Sequence, residues 1–97
     1  MTKVTVSGEN GRYYIRAEGH ATGSPTVCAA ISGIIYALAG YLANNSEAIV
    51  SDVKINDAYA SFEFCGSDEA EAVYLMTVIG LMQIAEAHPE YIEIEEK

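Results

Sequence analysis

The chain has 97 residues, 51% of them hydrophobic, and its 14 acidic and five basic residues give a formal net charge of -9. This length and apolar content predict one packed domain, residues 1–97, and argue against a disordered chain. The charge argues against a nucleic-acid-binding protein, because phosphate binding depends on Lys and Arg. It suits a basic protein or peptide partner, although solubility alone explains it equally well.

The expected location is the cytoplasm. Met1-Thr2-Lys3 leads directly into an alternating strand pattern with no apolar signal region before it. Two cysteines are too few for a disulfide scaffold, so both are expected as free thiols. The most apolar segment, Ala70–Ala87, contains Gln83 and is flanked by acids, which favours a buried helix over a membrane span. No membrane association is therefore expected.

The first two predicted strands form a hairpin. Val4 and Val6 alternate with polar residues, as in a half-buried strand. The pair Asn10-Gly11 is the strongest short hairpin signal and marks the turn. Arg12–Glu18 resumes the alternation, so a second strand follows the turn.

A helix is predicted to begin at Pro25. Ser24 is a suitable N-cap, and proline is favoured at the first helical position because its missing N–H needs no partner there. The apolar pattern continues to about Ala43, and Asn44 and Asn45 mark the end of the helix.

One face of this helix carries only small residues, at spacings of four, four and three: Ala29, Gly33, Ala37 and Gly40. Small side chains let another element approach closely. The favoured interpretation is that this element is the sheet of the same chain, and the alternative is a second subunit.

The second half of the chain repeats the strand–strand–helix order. Ala48–Ile55 and Tyr59–Cys65 are predicted strands, joined by a turn at Asn56 and Asp57. Ser67 is the expected N-cap of the second helix, followed by acids that suit its positive first turn.

The second helix is apolar on nearly every side from Ala72 to Ala85, which suggests that a partner subunit covers part of it. His88-Pro89 ends the helix, and Tyr91, Ile92 and Ile94 fit a short last strand. The predicted fold is therefore α+β, of order β-β-α-β-β-α-β, with a mainly antiparallel sheet packed with two helices.

The loop between the second strand and the first helix joins a histidine to a cysteine. His20 lies just past the strand end, which Gly19 marks, and Cys28 is the fourth helical residue if Ser24 is the cap. The unpaired N–H groups and partial positive charge of a helix start favour a thiolate over a thiol. Because the loop is short, His20 is expected to lie within reach of Cys28.

Thiol, imidazole and helix-start N–H groups are the components of acyl transfer. The Cys28 thiolate would attack a carbonyl, backbone N–H groups near it would bind the oxyanion, and His20 would move the protons. Ser32 follows Cys28 by four residues and so lies on the same helix face. Alternatively, Cys28 is a small core residue and His20 a hydrogen-bonded surface residue.

The segment Gly19-His20-Ala21, followed by Val-Cys-Ala-Ala-Ile-Ser at 27–32, resembles the signature of the bacterial ribosomal-processing cysteine protease family, Prp. The resemblance extends over essentially the whole chain. It implies a homodimeric endopeptidase that removes the N-terminal extension of a large-subunit ribosomal protein precursor. It implies Cys28 as nucleophile and His20 as base, with Ser32, Gly19 and Ala29 supporting the site and no cofactor.

The chain departs from the family pattern in the loop. Thr22–Val27 is shorter than is typical, and Pro25-Thr26 stands where the family commonly has an acidic residue before the cysteine. The resemblance therefore supplies a Cys-His dyad and identifies no third catalytic residue. A shortened loop also fits a divergent or inactive relative, a dimer that only binds a peptide or protein.

A metal site is the remaining alternative. The chain has four candidate nitrogen and sulfur ligands, His20, Cys28, Cys65 and His88, but their spacings match no common zinc pattern. Cys65 is more simply a structural strand residue and His88 a helix terminator, so no metal is expected.

Overall fold

Five strands and two helices follow one another in the predicted order. The structure is a computed structural model that describes residues 1–21, 23–44 and 48–97. Its elements are β1 (Thr2–Glu9), β2 (Arg12–Glu18), α1 (Pro25–Asn44), β3 (Ala48–Asn56), β4 (Tyr59–Gly66), α2 (Asp68–Ala87) and β5 (Ile92–Glu96). The predicted bounds agree with these to within two residues at each end.

Local signals account for the first hairpin and the first helix. Asn10 and Gly11 adopt φ values of 53° and 76°, as a tight two-residue hairpin requires. The Ser24 Oγ accepts a hydrogen bond of 3.2 Å from the Val27 N–H, so Ser24 caps α1 as predicted. Asn45, the second residue of the predicted helix end, lies outside the described residues.

The ends of α2 also lie where the sequence predicts them, with one difference. Ser67 occupies the N-cap position, but its side chain makes no capping hydrogen bond. The acids Asp68, Glu69 and Glu71 stand in the first turn, where they complement the helix dipole. At the other end, the N–H of His88 donates to the Ile84 carbonyl at 2.8 Å, and the helix stops before Pro89.

The strand order across the sheet is β3-β4-β2-β1-β5. The pairs β1–β2, β2–β4 and β3–β4 are antiparallel, whereas β5 returns alongside β1 in the parallel direction. The α+β class and the mainly antiparallel sheet are thus confirmed. The parallel edge depends on a long-range contact that no local pattern indicates.

Both helices pack on one face of the sheet. The inward strand residues share one register, so that Val6 stands beside Ile15 and Ile15 beside Phe62. These side chains are at most 1% exposed and form one core with the buried face of α1: Val27, Ile31, Ile35, Leu38 and Leu42. Packing therefore fixes which side of α1 faces the sheet and which side remains outside.

The small-residue face of α1 points away from the sheet. All four residues of this face are exposed, and a Cβ added at either glycine would meet no atom within 4 Å in the part of the chain that the structure describes: Ala29, Gly33, Ala37 and Gly40. The interpretation of this face as a helix-on-sheet contact is therefore wrong. The alternative, a contact with a second subunit, is compatible with the exposure.

The α2 helix is buried along one side only. Four large apolar residues on its other side are between 47% and 71% exposed: Leu75, Met76, Ile79 and Met82. The chain by itself thus leaves apolar surface uncovered on both helices.

Both helices are long and apolar enough to cross a membrane when judged by length and composition. Here each packs along one side against the sheet, and the two contact each other, with Ile34 of α1 next to Gly80 of α2. Core helices of globular proteins meet the same length and hydropathy criterion, so it carries little weight on its own.

Candidate active site

A cavity of about 470 Å³ lies between α1 and the end of the sheet that carries the β3–β4 turn. The two residues singled out in the sequence, His20 and Cys28, both line it. The remaining walls come from the start of β1, the end of β2, one face of α1 and residues 55–60 around the turn. The fold therefore brings the strand end and the helix start to one concave surface, as the short loop predicts.

One face of α1 supplies the cysteine and its neighbours. Cys28, Ser32 and Tyr36 are spaced by four residues, so they follow one another along the side of the helix that lines the cavity. Cys28 is a free thiol, half-buried, with part of its surface packed against the core. A half-buried thiol at the wall of a cavity remains accessible to a substrate.

The backbone that carries His20 is held from two sides. The N–H of Gly19 donates to the Ala58 carbonyl at 2.8 Å, and the carbonyl of Gly19 accepts from the Thr2 Oγ1 at 3.0 Å. Gly19 itself has a φ of 90°, and an added Cβ would lie 2.5 Å from the Met1 carbonyl oxygen. Glycine is thus required at this position, and it directs the chain into His20.

The first turn of α1 offers fewer free N–H groups than the sequence suggests. The N–H of Cys28 bonds to the Ser24 carbonyl at 3.1 Å, the N–H of Val27 bonds to the Ser24 Oγ, and Pro25 has none. Among the described residues this leaves the Thr26 N–H without a partner in that turn. The cap therefore engages the two amides nearest Cys28 that the sequence offered as oxyanion donors, and Thr26 lines a different cavity, next to the end of α2.

An aspartate missed by the sequence interpretation also lines the cavity. Asp57 Oδ1 lies 3.6 Å from the Nε2 of His20. The sequence assigned Asp57 to a turn, and this part is correct, since the connection between β3 and β4 consists of Asp57 and Ala58. Only the register of β4 against β2 places that turn beside His20, so no local signal would have found the contact.

The three residues that the family resemblance adds to Cys28 and His20 divide into two groups. Gly19 and Ser32 line the cavity, whereas Ala29 lies on the exposed face of α1 and does not.

The four candidate metal ligands do not converge. Cys65 alternates with Phe62 and Phe64 along β4 and so projects from the opposite face of the sheet. His88 lies at the end of α2, with its ring 6.5 Å from that of Tyr91. Within residues 1–21, 23–44 and 48–97, no group of three or more His, Cys, Asp and Glu side chains is placed to hold a metal ion.

Comparison with known proteins gives one family match. The sequence profile of the family described as cysteine protease Prp matches residues 1–93. No curated protein sequence matches the chain.

Solved structures share the whole fold. The essential ribosomal processing protease Prp from S. aureus, in complex with a covalently linked product peptide, superposes with a TM-score of 0.86 at 20% identity, with both chains covered completely. Its complex with a substrate peptide gives 0.76, again at 20% identity and complete coverage of both chains. SMU.848 from Streptococcus mutans gives 0.74 at 20% identity, over 99% of this chain and 93% of that one.

Proposed function

The chain belongs to the cysteine protease Prp family, and we propose that it is the endopeptidase that removes the N-terminal extension of a large-subunit ribosomal protein precursor. In this proposal Cys28 is the nucleophile and His20 the general base and acid. The observation that carries it is the shared cavity: the two residues, eight apart in sequence, line one concave surface together with Ser32.

The proposed reaction is acyl transfer in two steps. The Cys28 thiolate attacks the carbonyl carbon of the scissile peptide bond, and the imidazolium of His20 gives its proton to the departing amine. This leaves a thioester on Cys28 and a neutral imidazole. His20 then takes a proton from water and the hydroxide attacks the thioester carbonyl. The C–S bond breaks, which restores the Cys28 thiolate and the His20 imidazolium, and the carboxylic acid product leaves and ionises.

The helix start contributes electrostatic stabilisation. Cys28 lies in the first turns of α1, close to the positive end of the helix dipole. A dipole held in place before the reaction stabilises the thiolate and the developing oxyanion without reorganisation.

The walls of the cavity suit an apolar peptide segment. Apolar or aromatic surface comes from five residues: Ile31, Ile35, Tyr36, Ile55 and Tyr59.

The net charge of -9 would attract the basic body of a ribosomal protein by electrostatic complementarity. The similar S. aureus protease has been captured with a substrate peptide and with a covalently linked product peptide, which supports a peptide as the occupant. Ribosome assembly would place the enzyme in the cytoplasm of a bacterium.

The proposed activity is tested with the precursor itself. The purified protein is incubated with a large-subunit ribosomal protein that carries its N-terminal extension, and the products are measured by intact mass spectrometry. We expect one cut, at the boundary of the extension. The matched control carries the same extension in scrambled order and should remain intact. An uncut precursor, or equal cutting of both proteins, would contradict the proposal.

We further propose that the protein is a homodimer that buries the outer faces of α1 and α2. Glycine within a helix costs about 1 kcal/mol relative to alanine, yet no atom of the described residues occupies the space above Gly33 or Gly40. A second copy close to this face would account for both glycines. The exposed apolar residues of α2 supply the surface that such a contact would cover. Met76 is the most exposed of them, at 71%.

The dimer is tested by light scattering after size exclusion. The wild-type protein is expected at twice the chain mass of 10.4 kDa. Met76→Glu is expected to shift it to the monomer mass, because it would bury a carboxylate in an apolar contact. Ile49→Glu is the control: Ile49 is 66% exposed but pairs with Cys65, on the sheet face away from the helices. A monomeric wild type, or a dimeric Met76→Glu, would overturn the proposal.

A further inference from the structure

The position of Asp57 follows from the pairing of β2 with β4. The two strands run antiparallel, and their last paired residues at this end are Glu18 and Tyr59. The bond from the Gly19 N–H to the Ala58 carbonyl extends the ladder by one step. The next residues on either side are His20 and Asp57, so the sheet itself brings the imidazole and the carboxylate together.

We propose that Asp57 is a positioning residue, which orients His20 for proton exchange with Cys28. Asp57 Oδ1 lies 3.6 Å from Nε2 of the ring. A carboxylate at Nε2 favours the tautomer that carries its proton there, which leaves Nδ1 as the nitrogen available to the Cys28 thiol. The inference rests on the proposed roles of Cys28 and His20 and adds a third group to them.

The segment from His20 to Cys28 contributes no carboxylate to the site. Residues 20–28 contain no Asp or Glu, so the loop before Cys28 supplies none. Among the described residues that line the cavity, Asp57 is the one carboxylate. It comes from the β3–β4 turn, whereas Cys28 comes from α1, so the two groups approach the cavity from different elements.

Stability does not explain the contact. The His20 side chain is 53% exposed and that of Asp57 is 96% exposed, and exposed ion pairs contribute little to folding. At 3.6 Å the pair is also longer than a hydrogen bond. Catalytic hydrogen bonds are often long in a free enzyme and shorten when the substrate is bound, because the substrate excludes water from the site. The pair is therefore placed to act in the complex.

The test separates the proposed effect of Asp57 on the orientation of His20 from its structural role in the turn between β3 and β4. Asp57→Gly retains a residue that suits a turn but removes the acceptor, whereas Asp57→Glu retains a carboxylate that is less suited to a turn. We expect Asp57→Gly to lower kcat for precursor cleavage about ten- to a hundredfold with little change in KM. Asp57→Glu should recover at least part of that loss. Unchanged kcat in Asp57→Gly, or a Glu variant as slow as the Gly variant, would overturn the inference.

A second measurement needs no substrate, so it stays informative even if the precursor is not cut. Alkylation of each thiol by iodoacetamide is followed by peptide mass spectrometry at neutral pH. Asp57→Gly should slow alkylation of Cys28 about three- to tenfold, because a misoriented His20 stabilises the thiolate less. Cys65, in the strand that follows Asp57, is the internal control and should react at an unchanged rate. Equal effects on both thiols would indicate a loosened hairpin and overturn the inference.

Discussion

Replacing Cys28 with alanine should abolish precursor cleavage, lowering kcat/KM by at least about 10⁴-fold. A protease that forms a covalent intermediate cannot form it without its nucleophile, and the residual rate comes only from substrate binding and oxyanion stabilisation. The fold should survive, because Cys28 is only half-buried and alanine suits the fourth position of a helix. The rates are measured by mass spectrometry, and circular dichroism follows thermal unfolding of both proteins.

The chain offers a matched control for this substitution. Cys65 is also a free, half-buried thiol, but it projects from the sheet face opposite to the cavity. Cys65→Ala should cleave the precursor at the wild-type rate. Cleavage that persists in Cys28→Ala, or is lost equally in both variants, would remove Cys28 from the proposed mechanism.

Gly19→Ala is expected to have the second-largest effect, through the placement of His20. A non-glycine residue at a φ of 90° costs about 1–3 kcal/mol. In addition, the new Cβ would lie 2.5 Å from the Met1 carbonyl oxygen, so the backbone at the end of β2 must move. A displacement of about 1 Å in a catalytic group lowers the rate about a hundredfold. We therefore expect both reduced stability and a large fall in kcat.

Gly11→Ala separates the two effects. Gly11 has a similar φ of 76°, but it lies at the other end of β2, and its added Cβ would stand 3.4 Å from the Gly66 carbonyl oxygen. It should lose about 1–3 kcal/mol of stability in urea unfolding from the backbone cost that both positions share, while the folded enzyme keeps its kcat. If Gly11→Ala lost as much activity as Gly19→Ala, then general instability, and not displacement of His20, would be the cause.

Much of this fold is encoded locally. The Asn10-Gly11 turn, the Ser24 cap and the acids at the start of α2 depend on residues within four positions of each other, and the structure has each where the sequence predicts it. The alternation of the strands predicts the core face in the same way. The place of Cys28 in the first helical turns follows from the cap. The position of the proposed nucleophile can therefore be predicted from the sequence.

Packing against the sheet decides which face of α1 is buried and which is exposed. The small residues on one side of α1 allow close approach of either the sheet or a second subunit, and the sequence interpretation favoured the sheet. The structure leaves Gly33 and Gly40 exposed because the large residues Ile31, Ile35 and Leu38 occupy the side toward the sheet. Likewise, the Ser24 cap engages most of the first-turn amides, which only the hydrogen-bond geometry could reveal.

The sequence by itself determined the element order, the turns and caps, the family motif and the presence of a thiol at a helix start. Only the tertiary structure decided that β5 lies parallel to β1, that the small face of α1 is free, and that Asp57 faces His20. The physical reason is the distance along the sequence between the residues that interact. Turns and caps are set by neighbouring residues, whereas the register of β2 against β4 joins His20 to a residue 37 positions away and depends on the whole core.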